Sequence, residues 1–198
     1  MFSEPAPLSE VAEHTLGGFA ALVRADTAAL RHRMGRVGPF VYPSLTTAVL
    51  YRLSRVLRLR RRRRSARAVM WLNMLLTGAE IEPICVIGPG LVLAHTRGVL
   101  IGQGTRAGRN LFVHSGAVFG SVLDERTSGF PTVGDDVTVY TKASVIGPIS
   151  VGDGATIGAH ALVLEDVPAG MVARGVPARA YPTRARSQAP SSRPAAAG

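Results

Sequence analysis

The sequence predicts a β-solenoid, a parallel coil of very short strands, preceded by a helical region. The first observation is a period. From Val133 onward a branched apolar residue returns at every sixth position, as Val133, Val139, Val145, Val151, Ile157 and Val163. An α-helix repeats near 3.6 residues and a strand near 2, so this period fits neither a lone helix nor an ordinary sheet. In a solenoid each rung is one short strand plus a turn, and one apolar side chain per rung points into the axis. The second observation is that the pattern runs back upstream as Ile81, Ile87 and Leu93, slips by two residues, and resumes as Ile101, Ala107, Val113 and Phe119. The third is that the chain is small or branched four positions after each inward residue (Val137, Ala143, Ile149, Ala155, Ala161), as a narrow interior demands. Gly88, Gly102, Gly134, Gly152 and Gly158 directly follow inward residues, where a tight corner is expected to need a backbone without Cβ. A β-sandwich would alternate with period two.

Taken in order, residues 1–77 form the helical region. Residues 1–18 carry weak order signals, and Phe19 to Met34 reads as a helix ended by the breaker segment Gly35 to Pro39. Pro43-Ser44 opens a second helix with Ser44 as its N-cap, and Leu45, Val49, Leu53 and Val56 line one face at helical spacing. This helix runs on to Leu76, bent at the arginines, with Gly78 as its stop. The helices are expected to cap the open end of the first coil. Residues 78–180 form the solenoid, interrupted by a loop at 120–132 of the kind that carries binding function. Residues 181–198 are rich in Pro, Arg, Ser and Ala and read as a disordered tail.

Composition narrows the function. The only cysteine, Cys85, excludes an internal disulfide framework and a four-cysteine metal site, which suits a reducing cytoplasm. The longest apolar stretch, Val69 to Leu76, is far short of the ~20 residues that cross a bilayer. The formal charge of +10 is concentrated in Arg58, Arg60 to Arg64, Arg67 and the tail. That run reads first as a solvated helix face or interhelical junction, and second as a contact for anionic lipid or phosphate. No aromatic residue is interleaved with it, so base stacking has nothing to work with and no nucleic-acid partner is expected.

Five histidines are present, and His95 differs by its setting in Leu93-Ala94-His95-Thr96-Arg97-Gly98, directly before the register slip. Glu80 lies fifteen residues upstream, close to one coil of eighteen, and so near it in space. A carboxylate beside a histidine orients the ring and stabilises its protonated form, as general-base activation of a hydroxyl requires.

The segment Gly78 to Gly98, GAEIEPICVIGPGLVLAHTRG, resembles the first coil of bacterial serine acetyltransferases. The likeness continues through the inserted loop and into Gly175-Val176-Pro177-Ala178-Arg179, typical of hexapeptide acyltransferases, and covers residues 20–180. It implies a mainly β fold, a left-handed parallel β-helix behind an N-terminal helical region, assembled as a homotrimer with sites between subunits. It implies acetyl-CoA as acyl donor lying along the coil groove, with no metal. His95 is then the general base and Glu80 its carboxylate partner. Ser121, Thr141, Thr156 and Ala159 are the candidate CoA contacts, and Asp26, Ala94 and Phe130 the positions at the acceptor site.

Three of these positions depart from the family. Ala94 stands where an acidic residue precedes the histidine, Phe130 where a second histidine stands, and Gly129 where its basic neighbour stands. Losing charge-assisted contacts of this sort costs about 1.5–3 kcal/mol per bond. The expected function is therefore an acetyl-CoA-dependent O-acetyltransferase whose small-molecule hydroxyl acceptor is a sugar or specialised metabolite. Genuine serine O-acetylation and a non-catalytic trimeric scaffold are the alternatives. The ending Ala-Ala-Ala-Gly lacks the isoleucine terminus of family members that bind the next enzyme of cysteine synthesis, so that complex is not expected.

Overall fold

The computed structural model describes residues 13–35, 43–121 and 128–183. Helix α1 spans Leu16–Met34, α2 Pro43–Leu59 and α3 Arg63–Thr77. The chain then coils as a left-handed parallel β-helix with three faces. One face stacks β1 (Glu80–Ile81), β4 (Leu100–Ile101), β7 (Val118–Gly120), β10 (Ser144–Ile146) and β13 (Leu162–Val163). The second stacks β2 (Val86–Ile87), β5 (Arg106–Ala107), β8 (Thr132–Val133) and β11 (Ser150–Val151). The third stacks β3 (Val92–Leu93), β6 (Phe112–Val113), β9 (Thr138–Val139), β12 (Thr156–Ile157) and β14 (Met171–Gly175), closed by the antiparallel β15 (Ala178–Pro182).

The six-residue register holds throughout: every inward residue from Ile81 to Val163 is buried, and Ala107, the most open of them, is 7% exposed. Among the described residues the row four positions later is buried as well and includes Cys85 and Thr105, except at the widened corner, where Arg97 is exposed and Val99 is buried in its place. The glycines after the inward residues serve close stacking, a different task from the expected corner conformation. Their φ is not positive, but a Cβ on Gly88 would lie 2.5 Å from the Gly108 carbonyl oxygen of the next coil.

The helices depart from the expected pattern in instructive ways. Thr15 caps α1 by accepting the Gly18 N–H at 3.0 Å, so the helix starts three residues earlier than its apolar pattern suggests. Ser44 lies inside α2, where its hydroxyl accepts the Leu93 N–H at 3.1 Å. Of the expected apolar stripe only Val56 is buried, and Leu53 is exposed. The buried face of α2 instead carries Thr47, Ala48, Tyr51, Arg52 and Arg55, because it meets the unpaired carbonyls of the first coil. Tyr51 Oη donates to the Cys85 carbonyl at 3.0 Å, Arg55 to the same oxygen at 2.6 Å, and Arg52 to the Gly88 carbonyl at 2.7 Å. Polar donors thus cap an edge that would otherwise be open for pairing. A break at Arg60 to Arg62, with Arg61 at φ 60°, separates α2 from α3, and Gly78 at φ 76° ends α3 by donating to Met74 O. Residues 122–127 of the loop and the tail from 184 lie outside the described residues.

Candidate active site

His95 sits on the corner between β3 and β4, and it is exposed. From Leu93 to Ile101 the chain takes eight residues where other rungs take six, so this first coil has a step of 20, with Glu80 paired to Leu100 and Leu93 to Val113. The surplus pushes the His95 corner outward, and backbone on both sides holds it there. Gly98 N–H donates to Gly78 O, Gly116 N–H donates to Arg97 O, and the Thr96 hydroxyl donates to Thr77 O at 2.6 Å.

A second histidine lies beside it. Ala94, His114 and Tyr140 directly follow the paired residues Leu93, Val113 and Val139, so the three stack one coil apart on the same corner. The His114 ring centroid is 6.5 Å from that of His95, 4.8 Å from Tyr140 and 4.9 Å from Phe112. Its Nε2 is enclosed and has no hydrogen-bond partner among the described residues. Burial, with the neighbouring His95 second, pushes the His114 imidazole below its ordinary value. It is therefore neutral at neutral pH, able to offer one nitrogen as donor or acceptor. No motif marks His114 in the sequence; only counting rungs from Leu93 to Val113 places it beside the His95 corner.

The structure distributes the other candidate residues unevenly. Thr141 and Ala159 follow Tyr140 and Gly158 on the His95 corner, and Thr156 faces outward from β12 on the adjoining face. Ser121 follows β7 on a different corner, where its hydroxyl accepts the Gly129 N–H at 3.3 Å. Glu80 is half-buried in β1, and among the described residues no hydrogen bond or ion pair joins it to His95. Ala94 is buried at 7% exposure beside His114.

Asp26 is a correction. It is 1% exposed, and its carboxylate accepts from Arg52 Nε at 3.0 Å, Arg52 Nη2 at 3.1 Å, Gly90 N–H at 2.8 Å and Leu91 N–H at 2.9 Å. Four hydrogen bonds and an ion pair at 1% exposure bind Asp26 between α1 and the first coil, so it fixes that helix and is not open to an acceptor. Phe130 is a second. A Cβ on Gly102 or Gly104 would lie 2.4 Å or 2.3 Å from its ring atoms, so the two glycines make room for the ring against that rung.

A groove of about 850 Å³ opens between α1 and the coil, lined by His32, Arg33, Gly90, Arg109, Asn110 and Phe112 among others. The Arg33 guanidinium lies 4.5 Å over the Phe112 ring, the same ring that touches His114. Arg109 is committed to Asp135 at 2.8 Å, whereas no ion pair engages Arg33 among the described residues.

No protein-family model matches the chain. It is 39% identical over 139 residues to the serine acetyltransferase of Helicobacter pylori J99, covering 70% of this chain and 81% of that protein. It is 36% identical over 138 residues to that of Mycobacterium tuberculosis, covering 70% of this chain and 60% of the relative. Among solved structures, the serine acetyltransferase of Neisseria gonorrhoeae in complex with serine superimposes with a TM-score of 0.78 at 26% identity, over 85% of this chain and 71% of that one. A three-faced parallel coil with a histidine on its widened first corner, joined to these relatives over most of its length, leads to one assignment: the chain belongs to the serine acetyltransferase family of hexapeptide-repeat acyltransferases.

Proposed function

We propose that the protein transfers the acetyl group of acetyl-CoA to the hydroxyl of L-serine, giving O-acetylserine and free CoA. The observation that carries this reading is the joint likeness to serine acetyltransferases in sequence and in fold, together with His95 exposed on the widened first corner. A sugar or specialised metabolite, expected from the departures at Ala94, Gly129 and Phe130, is the less favoured acceptor because the likeness to serine acetyltransferases extends over both sequence and fold. The charge missing from the loop has a replacement candidate in Arg33, which lies over Phe112 in the groove beside the histidines and has no ion-pair partner among the described residues.

In this scheme His95 takes the proton of the serine hydroxyl as the oxygen attacks the thioester carbonyl carbon. The C–O bond forms, the C–S bond breaks, and the departing thiolate recovers that proton from the His95 imidazolium. Glu80, at the start of the same coil, is the carboxylate that favours the charged ring. The neutral imidazole of His114, one rung away, is a donor for oxygen charge developing at the carbonyl. Acetyl-CoA lies along the corner row of Thr141 and Ala159 with Thr156 beside it, a row of small side chains that leaves room for an extended chain. The active form is a homotrimer with its sites between subunits.

The test is thiol release from acetyl-CoA across a panel of hydroxyl compounds that includes L-serine. L-serine should have the highest kcat/KM, and His95→Ala should lower kcat by about 10² to 10⁴ without altering the melt. Arg33→Ala should raise the serine KM far more than it lowers kcat. A panel led by a sugar, or near-normal turnover by the His95 variant, would refute the scheme.

A further inference from the structure

The charge run and helix α3 present a surface that acyl transfer does not use. Helix α3 buries Ala66, Met70, Asn73 and Thr77 against the rest of the protein. Its opposite stripe starts with Arg64 and Arg67 and continues with Trp71, Leu72 and Leu75 at helical spacing. Trp71 is 57% exposed, Leu75 79% and Leu76 63%. An outward apolar stripe on a helix already docked on its other side is an interaction surface. The arginines at its head add charge. Seven residues, Arg58, Arg60 to Arg64 and Arg67, crowd the α2–α3 junction, and the sequence has no acidic residue between Asp26 and Glu80. Two clefts open at this junction, of about 330 Å³ and 800 Å³. Arg58 and Arg63 line both, Arg64 and Arg67 line the smaller with Glu82 at its rim, and Arg106 closes the larger.

We propose that this face of α3 docks on an anionic membrane surface, with the junction arginines on lipid phosphates and Trp71, Leu72 and Leu75 at the headgroup boundary. Each part of the face matches a part of such a surface. Guanidinium groups pair phosphate bidentately, indole rings favour the interface, and neighbouring leucines gain by leaving water. The docking is peripheral, since no helix among the described residues is long and apolar enough to cross a membrane. A second copy seated here through the same stripe would set the seven junction arginines against one another, so like charge on this face disfavours it as the occupant.

Trp71 is the only tryptophan, so its emission reports this surface alone. The full chain is titrated with vesicles of phosphatidylcholine, alone or mixed with phosphatidylglycerol, while emission and co-sedimentation are followed. The expected result is a blue shift and co-sedimentation with the mixed vesicles only, both lost at about 1 M salt, where the screening length falls to ~3 Å. Arg64→Glu with Arg67→Glu should weaken binding at least about 25-fold, taking about 5-fold (~1 kcal/mol) per arginine removed. Leu75→Ser should weaken it without moving the melting temperature. Two outcomes would overturn the proposal. One is the absence of any shift or co-sedimentation with either vesicle. The other is an emission already blue without lipid that reverts on dilution, which assigns the face to a second copy. Neither outcome bears on the acetyl-transfer assay, so the two readings fail separately.

Discussion

Replacing Asp26 by Asn separates an architectural role from a substrate role. In the native protein the Asp26 carboxylate and the Arg52 guanidinium form an ion pair at 3.0 Å, each 1% exposed, and Arg52 also holds the carbonyls of Ile87 and Gly88. The Asn side chain keeps the shape and one acceptor oxygen but leaves the Arg52 charge buried without its counter-ion. Breaking one side of a buried pair costs about 3–5 kcal/mol. At about 2–4 °C per kcal/mol for a chain of this size, the melting temperature should fall by roughly 6–20 °C. Urea unfolding followed by circular dichroism gives the free energy directly, and steady-state kinetics on the folded protein at low temperature give the serine KM. The KM should stay near the wild-type value. Asp26→Asn combined with Arg52→Met should be less damaging than Asp26→Asn alone, because the stranded charge is gone. A variant that melts with the wild type while its serine KM rises many-fold would refute this reasoning and return Asp26 to the acceptor site.

Two further outcomes follow from the coil and its corner. Ile157 is fully buried between Val139 and Ala173 of the neighbouring rungs, so Ile157→Ala should cost about 2–5 kcal/mol in urea unfolding, and a loss below about 0.5 kcal/mol would refute the register. His114 has a folded-state value lowered mainly by burial, so the unfolded chain takes up its proton first as the pH falls. Its stability contribution is therefore complete above the ordinary imidazole value of about 6.5 and is lost as the pH drops from there toward the lower folded value. The urea midpoint should fall between about pH 7.5 and about pH 5.5, and His114→Gln should flatten that fall; an unchanged slope would place the titration elsewhere.

The coil was legible because its period is imposed by geometry. One inward side chain per rung is a constraint that no turn or loop can relax, and the slip between Leu93 and Ile101 announced the widened corner that carries His95. The face of α2 was not legible. Hydrophobic spacing counts apolar residues, and here the buried face is chosen by hydrogen-bond donors, Tyr51, Arg52 and Arg55, that meet bare carbonyls of the first coil. The same cause hid the task of Asp26, whose partners are 26 to 65 residues away in the chain. His114 escaped notice because it belongs to no motif, yet its place could have been found by continuing the rung count one coil past His95. Phe130 came to the acceptor site by resemblance, and its packing on the coil was not legible because it depends on two glycines, Gly102 and Gly104, more than 25 residues upstream.

The loop at 120–132 has a bearing on how such a protein can change. Ala107 pairs with Val133 across a step of 26 residues, while Val133 pairs with Val151 across 18, and both pairs lie in the same unbroken face. Eight additional residues are therefore absorbed without moving any side chain of the stack, and Gly147 and Pro148 on the next coil meet Gly120 and Gly129 at the base of the excursion. Loop closure grows only as the logarithm of length, about 0.6 kcal/mol per doubling. The excursion is thus a port on the scaffold, where sequence can be lengthened, shortened or exchanged at nearly constant stability. Within the two-residue strands themselves one extra residue would turn the inward side chain out, so length is absorbed only at corners, as at this loop and at the His95 corner.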